Sequence, residues 1–292
     1  MKKWLFLFIV LLVIAFRFCL KEGLLAKEPS IQEHPAALSA SAEDYITIKI
    51  DKEQIHQGNL ILVNKDYSVH KKGVSKDIVA LSQHDELTQG FELLDPSIEM
   101  SRSVTERFSK LTEAAAKDGV EHFRISSGYR DQAEQRKLYR EKGADYALPA
   151  GHSEHNTGLS LDIGSSQGEI AHSPEGEWLQ ANAWHYGFIL RYPADKTNIT
   201  GIQYEAWHFR YVGLPHSLLM KEKHQVLEEY LADLKKRKRL QVMVDNRKYL
   251  ILYVPGLELD SVQLPAGHPY EISGNNMDGV IVTVQLSKWV TS

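Results

Sequence analysis

A single cysteine, Cys19, in 292 residues excludes an intrachain disulfide, and Phe16, Arg17 and Phe18 before it lack the small side chains that a lipidation site requires. Positive charge is not in excess: 34 Lys and Arg against 38 Asp and Glu leave a net charge of −4, so no nucleic-acid partner is expected. No internal repeat and no low-complexity segment is present, which sets aside repeat architectures. The apolar run from Trp4 to Phe16 falls short of the about 20 residues that a full membrane span needs. What is there, 43% hydrophobic and 25% charged residues, is the composition of an ordinary globular protein, long enough for one substantial domain plus accessories.

The N-terminus reads as an address. Lys2 and Lys3 flank the apolar run and keep the start of the chain inside, so the remainder is expected to be exported. With no small-x-small cleavage site after it, residues 1–26 read as a retained membrane anchor with Arg17 snorkelling, and a cleaved signal with a secreted enzyme is the alternative. Residues 27–44, rich in Ala, Ser, Glu and Pro, read as a linker.

Residues 45–79 carry strand signals at Tyr45 to Ile50 and Leu60 to Val63. Ser103 and Glu106 suggest a capping box for a helix that puts Val104, Phe108, Leu111 and Ala115 on one face and ends at Gly119. Phe123 to Ile125 reads as strand, followed by a helix that Asp131 caps and Gly143 stops, which leaves Arg130 at the turn between them. Ser173-Pro174 opens a further helix ending near Gly187, with Trp178, Leu179 and Trp184 in the core. A helix over about 216–237 ends in the basic run Lys235 to Arg239, where cations meet the negative end of the dipole. Alternating runs at Leu240 to Val254 and Val280 to Leu286 make residues 216–292 a helix plus a β-rich module, with which Tyr45 to Ile50 is expected to pair.

Two short segments carry the chemistry. Ser153-Glu154-His155-Asn156-Thr157-Gly158-Leu159-Ser160-Leu161-Asp162 and Glu205-Ala206-Trp207-His208 supply two imidazoles and a carboxylate for one metal, His155, Asp162 and His208, with Glu205 as a spare acid. Three mixed N/O ligands with an open fourth position describe a catalytic zinc, and Glu205 would be the general base for a water that the ion acidifies. Period-two alternation turns Leu159, Leu161 and Ile163 to one face and Ser160 and Asp162 to the other. Glu205 and His208 would face opposite ways in a regular strand, so a kink or bulge is expected near Ala206. Most other histidines, His216 among them, read as surface or satisfied core, because no ligand spacing surrounds them.

Ser-Gly-Tyr-Arg at 127–130, Ser-x-His-x-x-Gly-x-x-x-Asp at 153–162 and Glu-x-Trp-His at 205–208 resemble, in order and spacing, the zinc D-Ala-D-Ala carboxypeptidase family of VanY type, found in glycopeptide-resistant Gram-positive bacteria. The resemblance extends through Gly58 to Lys65 and Tyr186 to Pro193. It implies an α+β zinc D,D-peptidase core over residues 80–215, an antiparallel sheet with packed helices, beside the small β-rich C-terminal module. It implies zinc on His155, Asp162 and His208, Glu205 as catalytic base, Arg130 as oxyanion clamp, and Ser153, Gln135, Ser160 and Trp207 as substrate contacts, with Ser160 standing where many relatives carry alanine. The substrate implied is a peptidoglycan stem peptide ending in D-Ala-D-Ala, and the consequence is vancomycin resistance. Ser153, Gln135 or backbone amides are the candidate donors for the leaving D-alanine carboxylate. An L,D-carboxypeptidase or wall endopeptidase of the same fold, or an inactive wall-binding module, remain alternatives that the metal motif does not separate.

Overall fold

The computed structural model describes residues 31–34, 44–144, 146–244, 246–256 and 260–286. The expected N-terminal anchor lies outside the described residues, and among those described no helix is long and apolar enough to cross a membrane. In chain order, β1 (Ile31–His34), β2 (Tyr45–Lys49), β3 (Ile78–Ala80) and β4 (Phe91–Leu93) precede β5 (Glu99–Ser101), which runs directly into α1 (Arg102–Lys117). β6 (Phe123–Ser127), α2 (Gln132–Lys142), β7 (Ser160–Ser165), α3 (Pro174–Asn182), β8 (Phe188–Leu190), the single turn α4 (Thr197–Thr200) and β9 (His208–Tyr211) follow. The chain continues through α5 (His216–Glu222), α6 (Leu227–Arg237), β10 (Arg239–Val244), β11 (Arg247–Pro255), β12 (Ser261–Pro265), β13 (Tyr270–Gly274) and β14 (Gly279–Leu286).

One sheet has the order β4-β6-β7-β9-β8. It is antiparallel as expected, except that β4 and β6 run parallel, because α1 lies in the crossover between them. The alternation of β7 buries Leu161 and Ile163 in a core shared with Phe123, Ile125, Phe209 and the Val104, Phe108, Leu111 and Ala115 stripe of α1. Phe108 meets Phe123 and Phe188 edge-on, at centroid distances of 6.3 and 6.1 Å. On β7 and β9, Asp162 pairs directly with His208. Cross-strand partners project to the same side of a sheet, so this register alone brings a carboxylate beside an imidazole.

The second sheet, β1-β10-β11-β14-β13, is antiparallel throughout, and β2 pairs with β12, as the alternation of Tyr45 to Ile50 suggested. A second core joins it to the first unit: Trp184, Ile189 and Val212 pack with Leu219, Leu227 and Tyr230 from α5 and α6 and with Val242, Ile251 and Ile281 from the sheet. The β-rich region is thus bonded to the site-bearing sheet through packed helices.

Four local expectations are corrected. Ile31 to His34 is an edge strand on β10 instead of linker; Ile31 packs on the second core, and Glu33 pairs with Lys223 and Arg237. Leu60 to Val63 is buried but forms no strand, because side chains and one loop carbonyl take its backbone groups: Ser273 accepts from Leu60 N, Asn275 O accepts from Leu62 N, Asn276 donates to Leu62 O, and Arg210 donates to Ile61 O. α1 begins at Arg102 with Ser101 as its cap, while Ser103 N is held by Asp77. The helix expected over 216–237 is two, broken where His224 enters the left-handed region at φ 51° and restarted at Val226, whose N–H donates to Glu229. The break lets both α5 and α6 turn apolar faces to the second core.

Candidate metal centre

His155 sits in a 3-10 turn, Glu154–Thr157, that begins where Ser153 Oγ accepts from His155 N and ends at Gly158. Gly158 has φ +79°, in the left-handed region that favours glycine, and a Cβ there would lie 2.5 Å from Ile78 Cδ1, so glycine eases the turn from His155 into β7. Glu205 precedes β9 in a turn closed by His208 N donating to Glu205 O, while Glu205 N donates to Tyr192 O. The chain is therefore bent at Ala206, as the spacing required, and Glu205 Oε2 comes within 3.6 Å of His208 Nδ1.

His155, Asp162 and His208 offer ligand atoms all within 4.8 Å of one another. Asp162 Oδ1 lies 3.3 Å from His155 Nε2 and 3.2 Å from His208 Nδ1, yet it is buried without a hydrogen bond. The outer nitrogens explain this. His155 Nδ1 is 2.6 Å from Gly128 O, which can only accept, so Nδ1 carries the proton and Nε2 turns a lone pair inward. His208 Nε2 faces Glu154 Oε2 at 3.4 Å, so its inward atom is Nδ1. Two nitrogen lone pairs and a carboxylate oxygen converge on one point, an arrangement that repels itself until a cation joins it. The residues therefore fit a zinc ion, whose ligating histidines characteristically donate the other N–H to a carbonyl or carboxylate.

The electrostatics agree. Burial opposes charge on His208, but the Asp162 and Glu154 carboxylates beside its two nitrogens push it up to about 9, so a cation between His208 and Asp162 is favoured. Burial lowers His155, and Asp162 only partly offsets it, because Arg130 and His208 add to the burial. Burial would raise the Asp162 carboxyl, yet the two imidazoles hold it far below the carboxylate range. Glu205 moves the other way. Burial raises it, and Asp162 and Glu154 repel its charge, against His208 and Arg130, which suits a group that must accept a proton and release it.

Beside this cluster a cleft of about 350 Å³ is lined by Arg130, Gln135, Ser153, Tyr192, Glu205 and Trp207, among others. Arg130 enters it from the turn before α2, whose capping box at Asp131 and Glu134 and stop at Gly143 are as expected. Its Nε is buried without a partner, leaving a fixed donor for an incoming oxygen. Trp207 is 44% exposed on the rim. Gln135 donates from Nε2 to Leu148 O, so the atom it leaves unpartnered is the acceptor Oε1, which suits a substrate N–H better than a carboxylate.

Ser160 is corrected. It is fully buried and donates to Glu154 Oε2, so it faces the back of the site and does not line the cleft. Sequence reasoning also missed Glu154, Arg191 and Arg210, all completely buried. Glu154 Oε1 accepts from Arg191 Nε at 2.8 Å and Arg210 Nη1 at 2.7 Å, and Arg191 also grips Glu228 of α6 with two bonds. Burial would raise the Glu154 carboxyl, but Arg210 and Arg191 hold it well below its ordinary value. The available signal was an arginine inside each of two otherwise apolar or aromatic runs, Phe188 to Tyr192 and Trp207 to Val212, since a charge there demands a buried partner.

Residues 97–214 match the family model VanY, D-alanyl-D-alanine carboxypeptidase. The chain is 51% identical to a D-alanyl-D-alanine carboxypeptidase of Enterococcus faecium, over 97% of this chain and 96% of that one. Among solved structures, it is similar to the vancomycin resistance D,D-dipeptidase VanXYg in complex with a D-Ala-D-Ala phosphinate analogue, with a TM-score of 0.72 and 32% identity over 83% of this chain and 100% of that one. It is also similar to the LD-carboxypeptidase LdcB, with a TM-score of 0.51 and 31% identity over 59% of this chain and 84% of that one.

Proposed function

The chain belongs to the VanY family of D-alanyl-D-alanine carboxypeptidases, and on that footing we propose how its own residues divide the reaction. It is a D-Ala-D-Ala carboxypeptidase, and we read it as zinc-dependent and of the type associated with vancomycin resistance on the strength of the His155, Asp162 and His208 cluster and the likeness to VanXYg. His155 Nε2, His208 Nδ1 and Asp162 Oδ1 hold the ion; the observation that supports this is their convergence, with both outer imidazole nitrogens already committed. When bound, zinc supplies Lewis acidity that polarises the scissile carbonyl and acidifies water.

Glu205 takes the proton from the attacking water and passes it to the leaving nitrogen of D-alanine, a transfer for which its raised pKa fits it. Arg130 offers its unpartnered Nε–H to the oxygen that gains charge as the carbonyl becomes tetrahedral. Ser153 Oγ, which accepts from His155 N, keeps its own proton to donate to the terminal carboxylate. Gln135 accepts a substrate N–H, and Trp207 borders the peptide on the rim. The apolar run after Lys2 and Lys3 holds the enzyme at the outer face of the membrane, within reach of peptidoglycan precursors.

The test is D-alanine release from a stem pentapeptide ending in D-Ala-D-Ala, compared with a tetrapeptide ending in a single D-Ala, before and after chelation. Turnover of the pentapeptide that stops on chelation and returns with zinc is expected. Preference for the tetrapeptide would favour the L,D-carboxypeptidase reading, to which the similarity with LdcB lends weight.

A further inference from the structure

We propose that Glu154 is a positioning residue for the metal centre: it fixes the orientation and tautomer of His208 from behind, and Arg191 and Arg210 hold the Glu154 carboxylate in place from the core. This rests on the reading of His155, Asp162 and His208 as zinc ligands.

The geometry is specific. The two oxygens of Glu154 serve different partners. Oε1 accepts from Arg191 Nε and Arg210 Nη1, while Oε2 accepts from Ser160 Oγ at 3.1 Å and from His208 Nε2 at 3.4 Å. The side chain has no solvent exposure, so no water competes for either oxygen. His155 is held by a neutral carbonyl, Gly128 O, but His208 is held by a carboxylate, a partner that can only accept from it and so directs its ring. The arginines are anchored independently of the site. Arg191 reaches Glu228 on α6, and Arg210 Nη2 donates to Asn59 O and Ile61 O. Glu154 is thereby fixed by the segment before the catalytic sheet and by the helix after it. Ser160 completes the set, which explains why a hydroxyl is useful at a buried position outside the cleft lining.

The experiment compares Glu154→Gln with Glu228→Gln in the full chain, reading the zinc dissociation constant by chelator competition and the thermal midpoint of each protein. Glutamine at 154 keeps the volume but loses the charge behind His208. Zinc affinity should fall about 10- to 100-fold, the usual loss when a ligand's outer partner is removed. Glu228→Gln disturbs the same buried network without touching His208, so it should lower the midpoint and reduce zinc affinity much less than Glu154→Gln does. Unchanged affinity in Glu154→Gln, or an equal loss in both variants, would overturn the proposal by reducing Glu154 to packing. If Glu154→Gln does not fold, the wild type decides through imidazole nitrogen resonances of the zinc-loaded protein. His208 protonated at Nε2 and metal-bound through Nδ1 is expected, and the reverse pattern would overturn the proposal. A wild type that binds no zinc through these histidines would instead refute the reading on which the proposal stands.

Discussion

His208 and His216 are both buried imidazoles on successive elements, β9 and α5, and their surroundings drive them in opposite directions. His208 lies against the Asp162 and Glu154 carboxylates, with Glu205 3.6 Å away, and is pushed up to about 9, against the pull of burial. His216 has only hydroxyls for company, Tyr230 Oη at 2.7 Å from Nδ1 and Thr283 Oγ1 at 3.0 Å from Nε2, and burial takes it down to about 3. Burial alone lowers an imidazole's pKa, and neighbouring carboxylates raise it. The difference separates a histidine that organises chemistry from one that joins α5, α6 and β14 in the second core.

The sharpest break in the comparison comes from the acid that His208 has and His216 lacks. Glu205→Gln should keep zinc and lose about 10²- to 10⁴-fold in kcat, the usual contribution of a general base; D-alanine release with metal content measured on the same sample checks this, and a fully active variant would remove Glu205 from the reaction. Next in size, His208→Ala should release zinc on dialysis, while His216→Gln retains it. Elemental analysis of both distinguishes ligand from core histidine, and equal zinc in the two proteins would erase the contrast.

A smaller effect appears in stability against pH. The folded His216 value of about 3 lies below the ordinary 6.5, so between these values the unfolded chain binds the extra proton. Its contribution is complete above about pH 6.5 and is lost as pH falls towards 3, with a slope of at most about 1.4 kcal/mol per pH unit for one proton. Urea midpoints of wild type and His216→Gln between pH 7 and 4 should converge as pH falls; parallel curves would show that His216 does not titrate in this window. Least of all, Ser160→Ala removes one buried hydrogen bond to Glu154 and should cost about 1 kcal/mol of stability with KM for the peptide unchanged. A raised KM would return Ser160 to the cleft.

Much of the site was legible because it depends on local rules. Alternation set the face of Asp162, the spacing of Glu205 and His208 required the bend that the turn at Ala206 provides, and Asp131, Glu134 and Gly143 delimited the helix behind Arg130. What escaped depends on partners distant in the chain. Glu154 lies inside the metal motif but takes its meaning from Arg191 and Arg210, and a motif read in one dimension assigns it no partner. Leu60 to Val63 looked like a strand because it is an unbroken apolar run, yet Ser273, Asn276 and Arg210 meet its backbone where a neighbouring strand would. Likewise, the division between α5 and α6 follows from His224 adopting a left-handed turn, a conformation that the sequence around it does not single out.

The central claim is that three side chains, each already oriented from outside, close on one zinc ion. Anomalous diffraction at the zinc edge from crystals of the full chain tests it most directly. A single peak about 2.0–2.2 Å from His155 Nε2, His208 Nδ1 and Asp162 Oδ1 is the expected result. A peak elsewhere, or one bonded to His208 through Nε2, would contradict the account.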